Sequence, residues 1–157
     1  MNKFLDCDAL IVCGGLAGAA SALSLAGAGF DVILLDAGGA TAEDAAEFDG
    51  RAYAVALASQ RFWAAIGVWD RVAAEAEPMV DILVSDGKVD EGASPLFLHL
   101  DHRETDDGVY GYMVEDRHLR PAVLAAMDDH ERVEQRAGRV TTVDYGPGRA
   151  VASLADG

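Results

Sequence analysis

A strand–helix–strand pattern between residues 9 and 36 is the feature that most constrains the fold of this 157-residue chain. Ala9 to Cys13 is a short apolar run, typical of a strand buried on both faces of a parallel sheet. Leu16 to Ala28 is rich in small apolar residues and predicts a helix that Gly29 ends. Asp31 to Leu35 predicts a second buried strand, so the segment predicts a β-α-β unit with a right-handed crossover.

The turn between the first strand and the helix has glycines at a spacing typical of phosphate-binding loops. The dinucleotide fingerprint is G-x-G-x-x-G, and the frame that fits is Cys13-x-Gly15-x-x-Gly18. Gly15 would let the backbone approach a pyrophosphate, and Gly18 would let the helix pack close to the strand. The free N–H groups of the helix N-terminus would favour the phosphates. If the first position needs a positive φ, Cys13 is strained there by on the order of 1–3 kcal/mol.

Asp36 follows the second strand, about twenty residues after the turn, where a carboxylate accepts hydrogen bonds from an adenosine ribose. A carboxylate there disfavours a 2′-phosphate, so the pattern argues against NADP as the tightly bound dinucleotide. The alternative is a β-α-β unit of an α/β protein that binds no nucleotide. Strand, helix and terminal Asp36 together favour the dinucleotide site.

Composition excludes several other functions. The chain has 27 acidic against 12 Lys and Arg residues, a formal net charge of -15, which argues against nucleic-acid binding. The two cysteines, Cys7 and Cys13, are too far apart along a strand to pair, so we expect a reducing, cytoplasmic compartment. The histidines lack the spacing of a zinc site, and no metal is expected. Asp6 and Asp8 stand where a signal peptide carries positive charge, which disfavours a secretory leader.

The rest of the chain predicts further short elements. Residues 40–50 predict a loop, and Ser59 predicts the cap of a helix to Ile66. Asp116 is a candidate cap for a helix to Met127, although Pro121 favours a start near Leu119. Further segments predict a short helix at 70–75, strands within 79–87, 95–101 and 111–116, and three strands after residue 132.

Three stretches carry a resemblance to a known family. The segments "DGRAYAVALASQRFWAAIGVWDRV", "AEPMVDILVSDG" and "GYMVEDRHLRPAVL" resemble the flavin-dependent aromatic hydroxylases of ubiquinone biosynthesis, which are group A flavin monooxygenases similar to para-hydroxybenzoate hydroxylase. The matching features are Asp49-x-Arg51, the helix ending in Gly67-Val68-Trp69, and a Y-M-V-E segment followed by Asp116 where the family usually has Asn. The resemblance covers nearly the whole chain, which corresponds to about the first two-fifths of a typical family member. We expect the change at Asp116 to have little effect on flavin affinity.

The resemblance implies FAD as the cofactor and assigns residues to it. The turn would hold the pyrophosphate, Asp36 the ribose, and Arg51 the flavin or its diphosphate; Arg117 would lie against the cofactor and Val140 near the adenine. Without the resemblance, surface ion pairs would be the favoured reading of both arginines. The cofactor-binding residues expected in this way are Cys13, Gly14, Gly15, Leu16, Ala17, Gly18, Asp36, Ala37, Arg51, Arg117 and Val140. The sequence assigns no catalytic acid or base.

The fold class implied is α/β: a Rossmann-like FAD-binding β-α-β unit with the start of a β-sheet substrate layer, in an incomplete domain. Residues 1–78 and 116–157 would form the FAD-binding portion, and residues 79–115 the start of the substrate-facing sheet. The implied activity is hydroxylation of a lipid-tailed aromatic, a polyprenyl phenol, with NAD(P)H and O2. The implied enzyme is cytoplasmic and either peripheral to the inner membrane or in a biosynthetic complex. We expect these 157 residues alone to be inactive.

Two alternatives stay open at this point. An NAD-binding domain of a dehydrogenase fits the first forty residues equally well, but it does not explain Asp49-x-Arg51 or the Gly67-Val68-Trp69 helix end. The second alternative is a non-catalytic fragment without a bound cofactor. Flavin absorption of the purified protein separates the three.

Overall fold

The computed structural model of the chain describes residues 5–38, 48–88, 90–106 and 108–155. Their strands form a three-stranded parallel sheet, a three-stranded antiparallel sheet and two hairpins. Most of the loop predicted at residues 40–50 lies outside the described residues, and residues 48–50 belong to no helix or strand.

The parallel sheet is the centre of the predicted cofactor-binding portion. It contains β1 (Ala9–Val12), β2 (Val32–Asp36) and β8 (Val133–Ala137), with β2 in the middle. Helix α1 (Leu16–Gly27) connects β1 to β2, which pair in parallel along their whole length. The β-α-β unit predicted from the sequence is therefore confirmed.

The two strands of that unit differ in burial. Residues 32–35 of β2 are 2–7% exposed, so the prediction of burial on both faces holds for this strand. The same prediction is wrong for β1, where Leu10 is 40% and Val12 52% exposed. Among the described residues β1 pairs with β2 alone, so it is an edge strand. Its alternate side chains, Ala9 and Ile11, pack against the core.

Two helices pack against each other and against the parallel sheet. Small residues of α1, Ala19, Ala22 and Ala26, are 0–3% exposed, and they let α3 (Asp116–Asp128) approach closely. From α3, the buried residues include Leu119, Val123 and Met127. Burying apolar side chains of this size contributes roughly 1.5–3 kcal/mol each. The core therefore lies between the sheet and these two helices, and it continues to Val55, Trp63, Val68, Trp69, Val72 and Val114.

The antiparallel sheet has β7 (Gly111–Glu115) between β3 (Ala52–Ala56) and β4 (Glu77–Met79). β3 was not predicted from the sequence, because its alternating small residues are weak strand formers. Helix α2 (Leu57–Ala65) follows it directly. Ser59 is thus the third residue of α2, and the prediction that it caps the helix is wrong.

Helix α3 also begins differently from the prediction. It starts at Asp116 and continues through Pro121, although a start near Leu119 would have avoided an internal proline. Glu115 precedes the helix, so Asp116 is its first residue and not its cap. The helix thus tolerates the hydrogen bond that Pro121 cannot make, and the tertiary contacts of Asp116 at its start are described below.

Two hairpins complete the described chain. The first joins β5 (Asp81–Lys88) to β6 (Gly92–Asp101), and the second joins β9 (Val140–Gly146) to β10 (Arg149–Leu154). These strands confirm the predicted ones. In the part of the chain that the structure describes, no helix has the length and apolar character needed to cross a membrane.

Candidate cofactor-binding site

The turn between β1 and α1 adopts the conformation that a glycine at its first position would favour. Cys13 has a φ of 102°, in the region that L-residues rarely occupy, and its N–H donates to the Leu35 carbonyl at 2.8 Å. The side chain is exposed, so burial does little to compensate the strain. The condition set by the sequence analysis is met, and the strain at Cys13 is of the order of 1–3 kcal/mol.

The three glycines at and just after the turn differ in the space that a side chain would find there. A Cβ at Gly18 would lie 1.9 Å from the carbonyl oxygen of Cys13, so no side chain fits there. A Cβ at Gly14 would lie 2.8 Å from the Cβ of Asp36, which is also a clash. At Gly15, in contrast, the Cβ would meet only the Cys13 Sγ, at 3.9 Å, within the described residues. Gly15 therefore leaves open space on the side from which a ligand would approach.

The N-terminus of α1 is free to bind an anion. Gly15 is the residue before the helix, and within the described chain no side chain caps this end. The first turn also contains no acidic residue. The N–H groups of Leu16, Ala17 and Gly18 have no partner one turn earlier in the helix, and the helix dipole is positive at this end. This is the arrangement that favours a phosphate group.

Asp36 stands beside this turn, at the end of β2. Its Oδ1 accepts the N–H of Gly14 at 3.3 Å, and its side chain is half-buried. The carboxylate borders an open cleft of about 160 Å³. The residues that line the cleft are Gly14, Leu34, Asp36, Leu124, Gln135, Arg136 and Ala137. Ala37, the next residue along the chain, is exposed.

Four residues of the cleft lie on α3 and β8 and were not among the predicted ones: Leu124, Gln135, Arg136 and Ala137. The three residues of β8 reach the cleft because β8 pairs with β2, which sets Ala137 opposite Asp36. The sequence signal that could have predicted them is the helix followed by a strand near residue 133, which is typical of a further strand in the parallel sheet. Val140 lies three residues beyond Ala137, at the start of β9, and is half-buried.

A second polar cluster surrounds the carboxylate of Asp116, whose side chain is 4% exposed. Its Oδ2 is 2.9 Å from Nη2 of Arg51 and 3.1 Å from Nε of Arg120. Its Oδ1 accepts the hydroxyl of Tyr53 at 2.9 Å. Burial, and then the hydrogen bond to Asp116, raise the pKa of Tyr53 above its usual value. Every polar atom of this buried carboxylate is thus satisfied.

The two arginines predicted to bind the cofactor both lie near the N-terminus of α3. Arg117 is the second residue of this helix, and Arg51 pairs with its first residue, Asp116. Arg51 is 54% exposed and also binds Asp49, whose pKa it holds below the usual value by hydrogen bonding. Arg117 donates to Glu115 at 2.5 Å, and its guanidinium lies 5.2 Å from the ring centre of Phe48. Both arginines form ion pairs within the chain, as expected if they are surface ion pairs, and both side chains are partly exposed to solvent.

Topology sets this second cluster at the same end of the sheet as the turn. α3 precedes β8, packs on it and on α1, and β8 runs parallel to β2. The N-terminus of α3 therefore lies toward the carboxyl edge, like that of α1. Leu124 lines the cleft, and Asp116 lies eight residues nearer the helix start, roughly 12 Å along the axis. Ligands of parallel α/β sheets bind at this edge.

One further group of side chains has the composition of a metal site. Asp81, His99 and Asp101 meet at the base of the first hairpin, with ligand atoms within 4.8 Å of one another. These groups already have partners within the chain: His99 binds Asp81 at 2.7 Å, and the Arg103 guanidinium holds Asp101 and keeps the pKa of that carboxyl well below its usual range.

The turn and the cleft fit the adenosine diphosphate half of a dinucleotide. The uncapped N-terminus of α1 and the open side of Gly15 suit the diphosphate, and Asp36 suits a ribose. The close contact at Gly18 lets the helix start next to β1, which brings these groups together.

Comparison with known proteins agrees with this geometry. Ubiquinone hydroxylase UbiL of Rhodospirillum rubrum is 46% identical over 120 residues, which is 76% of this chain and 27% of that protein. The chain thus spans about a quarter of the length of this curated relative.

Solved structures share the fold at low identity. p-Nitrophenol 4-monooxygenase PnpA of Pseudomonas putida DLL-E4 superposes with a TM-score of 0.67 at 20% identity, over 94% of this chain and 36% of that one. The flavin-dependent monooxygenase PieE, solved with FAD and substrate, has a TM-score of 0.69 at 16% identity, over 99% of this chain and 28% of that one.

The family model of the FAD-binding domain matches residues 6–143, which contain the turn, Asp36, both arginines and Val140. The match extends over all three helices and over β1 to β8. The chain belongs to the FAD-binding domain family, and its cofactor is FAD.

Proposed function

We propose that this chain is the N-terminal part of an FAD-dependent monooxygenase that hydroxylates an aromatic ring of a polyprenyl phenol in ubiquinone biosynthesis. The observation that carries the proposal is the 46% identity with a ubiquinone hydroxylase, because likeness of fold alone does not distinguish one chemistry from another. NAD(P)H would supply two electrons, one atom of O2 would enter the product as its new hydroxyl group, and the other would be reduced and take up protons to leave as water.

The residues of this chain would bind and orient the cofactor. The N–H groups at the start of α1 would hold the diphosphate, Asp36 would bind the ribose, and Arg51 and Arg117 would face the cofactor from the start of α3. Val140 would lie on the adenine side. FAD supplies the redox chemistry when bound, while the protein supplies orientation and a dry site. For this reason no acid or base of the chain is assigned a chemical step.

The substrate would meet the segment between the two cofactor-binding portions. We propose that residues 1–78 and 116–157 bind FAD, and that residues 79–115 begin the substrate-facing sheet. In support, one face of the first hairpin is apolar near its base: Ile82 pairs with Leu100, and Val84 with Leu98. Val84 and Leu98 are 53% and 57% exposed. A lipid-tailed aromatic has the chemistry to cover such a face.

A lipid-tailed substrate also bears on where the enzyme works. We propose that it is cytoplasmic and acts at the periphery of the inner membrane, alone or in a biosynthetic complex. The proposal rests on the chemistry of a polyprenyl phenol, which resides in the bilayer. Sedimentation of the full-length protein with vesicles that contain and lack the substrate would test it.

Purified full-length protein tests the reaction. We expect the absorption spectrum of bound flavin, NAD(P)H oxidation that depends on a polyprenyl phenol, and a product with one added oxygen atom. An NAD-binding dehydrogenase domain would instead bind NAD(H) without flavin and add no oxygen. That result would overturn the proposal, as would bound FAD without oxygen transfer to any polyprenyl phenol.

A further inference from the structure

Asp116 holds Arg51 at two points, one through its backbone and one through its buried carboxylate. The Asp116 N–H donates to the Arg51 carbonyl at 3.0 Å, and the Asp116 Oδ2 lies 2.9 Å from Nη2 of the Arg51 side chain. Tyr53, on β3, and Arg120, one turn along α3, bind the same carboxylate. The carboxylate therefore ties the start of β3 to the start of α3 and has little freedom to move.

These contacts occupy one edge of the Arg51 guanidinium. Nε and Nη2 donate to Asp49, and Nη2 also meets Asp116. Within the described residues, Nη1 has no hydrogen-bond partner, while the side chain is 54% exposed. Because a guanidinium is planar and its five donors are rigidly arranged, fixing one edge also fixes the direction of the other.

Charge in the cluster is balanced. Asp49 and Asp116 carry two negative charges, and Arg51 and Arg120 carry two positive charges. A neutral cluster does not attract an anion through its net charge. What it offers is an oriented pair of N–H donors on Nη1, and such pre-organised donors bind an anionic oxygen better than a mobile side chain does.

We propose that Asp116 is a positioning residue for FAD: through its ion pair with Arg51 it sets the direction in which the free edge of that guanidinium meets the cofactor. The inference rests on the proposed FAD contact of Arg51. It revises the expectation that the aspartate at this position has little effect on flavin affinity.

A double-mutant cycle in the full-length protein tests this role. FAD dissociation constants are measured by flavin fluorescence for the wild type, Asp116→Ala, Arg51→Met and the double variant. We expect Asp116→Ala to weaken FAD at least about ten-fold more when Arg51 is present than in the Arg51→Met background. A tenfold difference corresponds to about 1.4 kcal/mol of coupling. Equal losses in both backgrounds would show a merely structural role and overturn the proposal.

Controls separate positioning from loss of stability. Asp129→Ala removes an aspartate that pairs with Arg71 just past the end of the same helix, and it should change FAD affinity less than two-fold in both backgrounds. If Asp116→Ala does not fold, Asp116→Asn enters the same cycle, with a coupling of at least about three-fold expected. A coupling below two-fold for Asp116→Asn would overturn the proposal.

The cycle also distinguishes failure of the inference from failure of the proposed function. Wild-type protein that binds no FAD would overturn both. Wild-type protein that binds FAD but hydroxylates nothing would overturn the proposed reaction, while the coupling between Asp116 and Arg51 would still be measured and would decide the inference.

Discussion

Cys13 is the residue at which sequence and backbone are in conflict. Its φ of 102° lies where a glycine is favoured, and its side chain is exposed, so burial gives little stabilisation in return. The neighbouring N–H of Gly14 donates to Asp36, so the turn stays in place despite the strain. The fold tolerates Cys13 because the backbone around it is held from several sides.

Replacing this residue by glycine should therefore improve both stability and cofactor binding. We expect Cys13→Gly to raise the free energy of unfolding by about 1 kcal/mol, with FAD affinity rising several-fold if the strained turn also resists the diphosphate. Denaturant unfolding and FAD titration measure the two effects. Cys13→Ala is the matched control, since it removes the thiol but keeps the Cβ; an equal gain in this variant would show that strain is not the cause.

At the scale of elements, the start of α1 depends on a contact with β1 that is too close for a side chain at position 18. The Cβ of any residue at position 18 would lie 1.9 Å from the Cys13 carbonyl oxygen, so β1 and α1 would have to separate. The pyrophosphate site and the packing of the helix thus rest on the same glycine. Periodicity predicts the helix, but only the contact shows why its first turn lies so close to the strand.

The same substitution at two positions of α1 should have opposite results. Gly18→Ala should destabilise the protein by several kcal/mol or abolish FAD binding, because backbone atoms must move. Gly27→Ala, at the end of the same helix, meets nothing within 4 Å among the described residues and should be neutral or stabilising by up to about 1 kcal/mol. Thermal unfolding and FAD titration compare them. Similar behaviour of the two variants would contradict the close-contact explanation.

At the scale of the whole molecule, the exposed side of β1 bears on behaviour in solution. β1 is an edge strand in the described part of the chain, with Leu10 and Val12 exposed on one face. The first hairpin adds a second exposed apolar face. Unpaired apolar edges promote association between chains, while a net charge of -15 opposes it.

We accordingly expect the 157 residues expressed alone to self-associate, and to do so more as salt screens the repulsion between copies. They should also show no substrate-dependent NAD(P)H oxidation. Light scattering at low and high salt measures the association, and Val12→Lys, which puts a charge on the exposed face of β1, should reduce it. A monodisperse monomer at high salt that couples NAD(P)H oxidation to hydroxylation would contradict the prediction.

The local sequence determined the β-α-β unit, the turn at Cys13 and the acidic end of β2, because each depends on periodicity, glycine spacing and a short range of the chain. The resemblance to the hydroxylase family pointed to Arg51 and Arg117. Whether any predicted site residue contacts FAD stays a prediction.

Tertiary structure alone decided what surrounds those residues. The pairing of β8 with β2 brought Arg136 and Ala137 to the cleft, and β3 formed against β7 despite weak local propensity. Asp116 illustrates the reason. Local rules make an aspartate at a helix start a cap, but residues 63 and 65 positions earlier, Tyr53 and Arg51, bind its carboxylate. Contacts between such distant residues depend on how whole elements pack, and no short-range pattern encodes that packing.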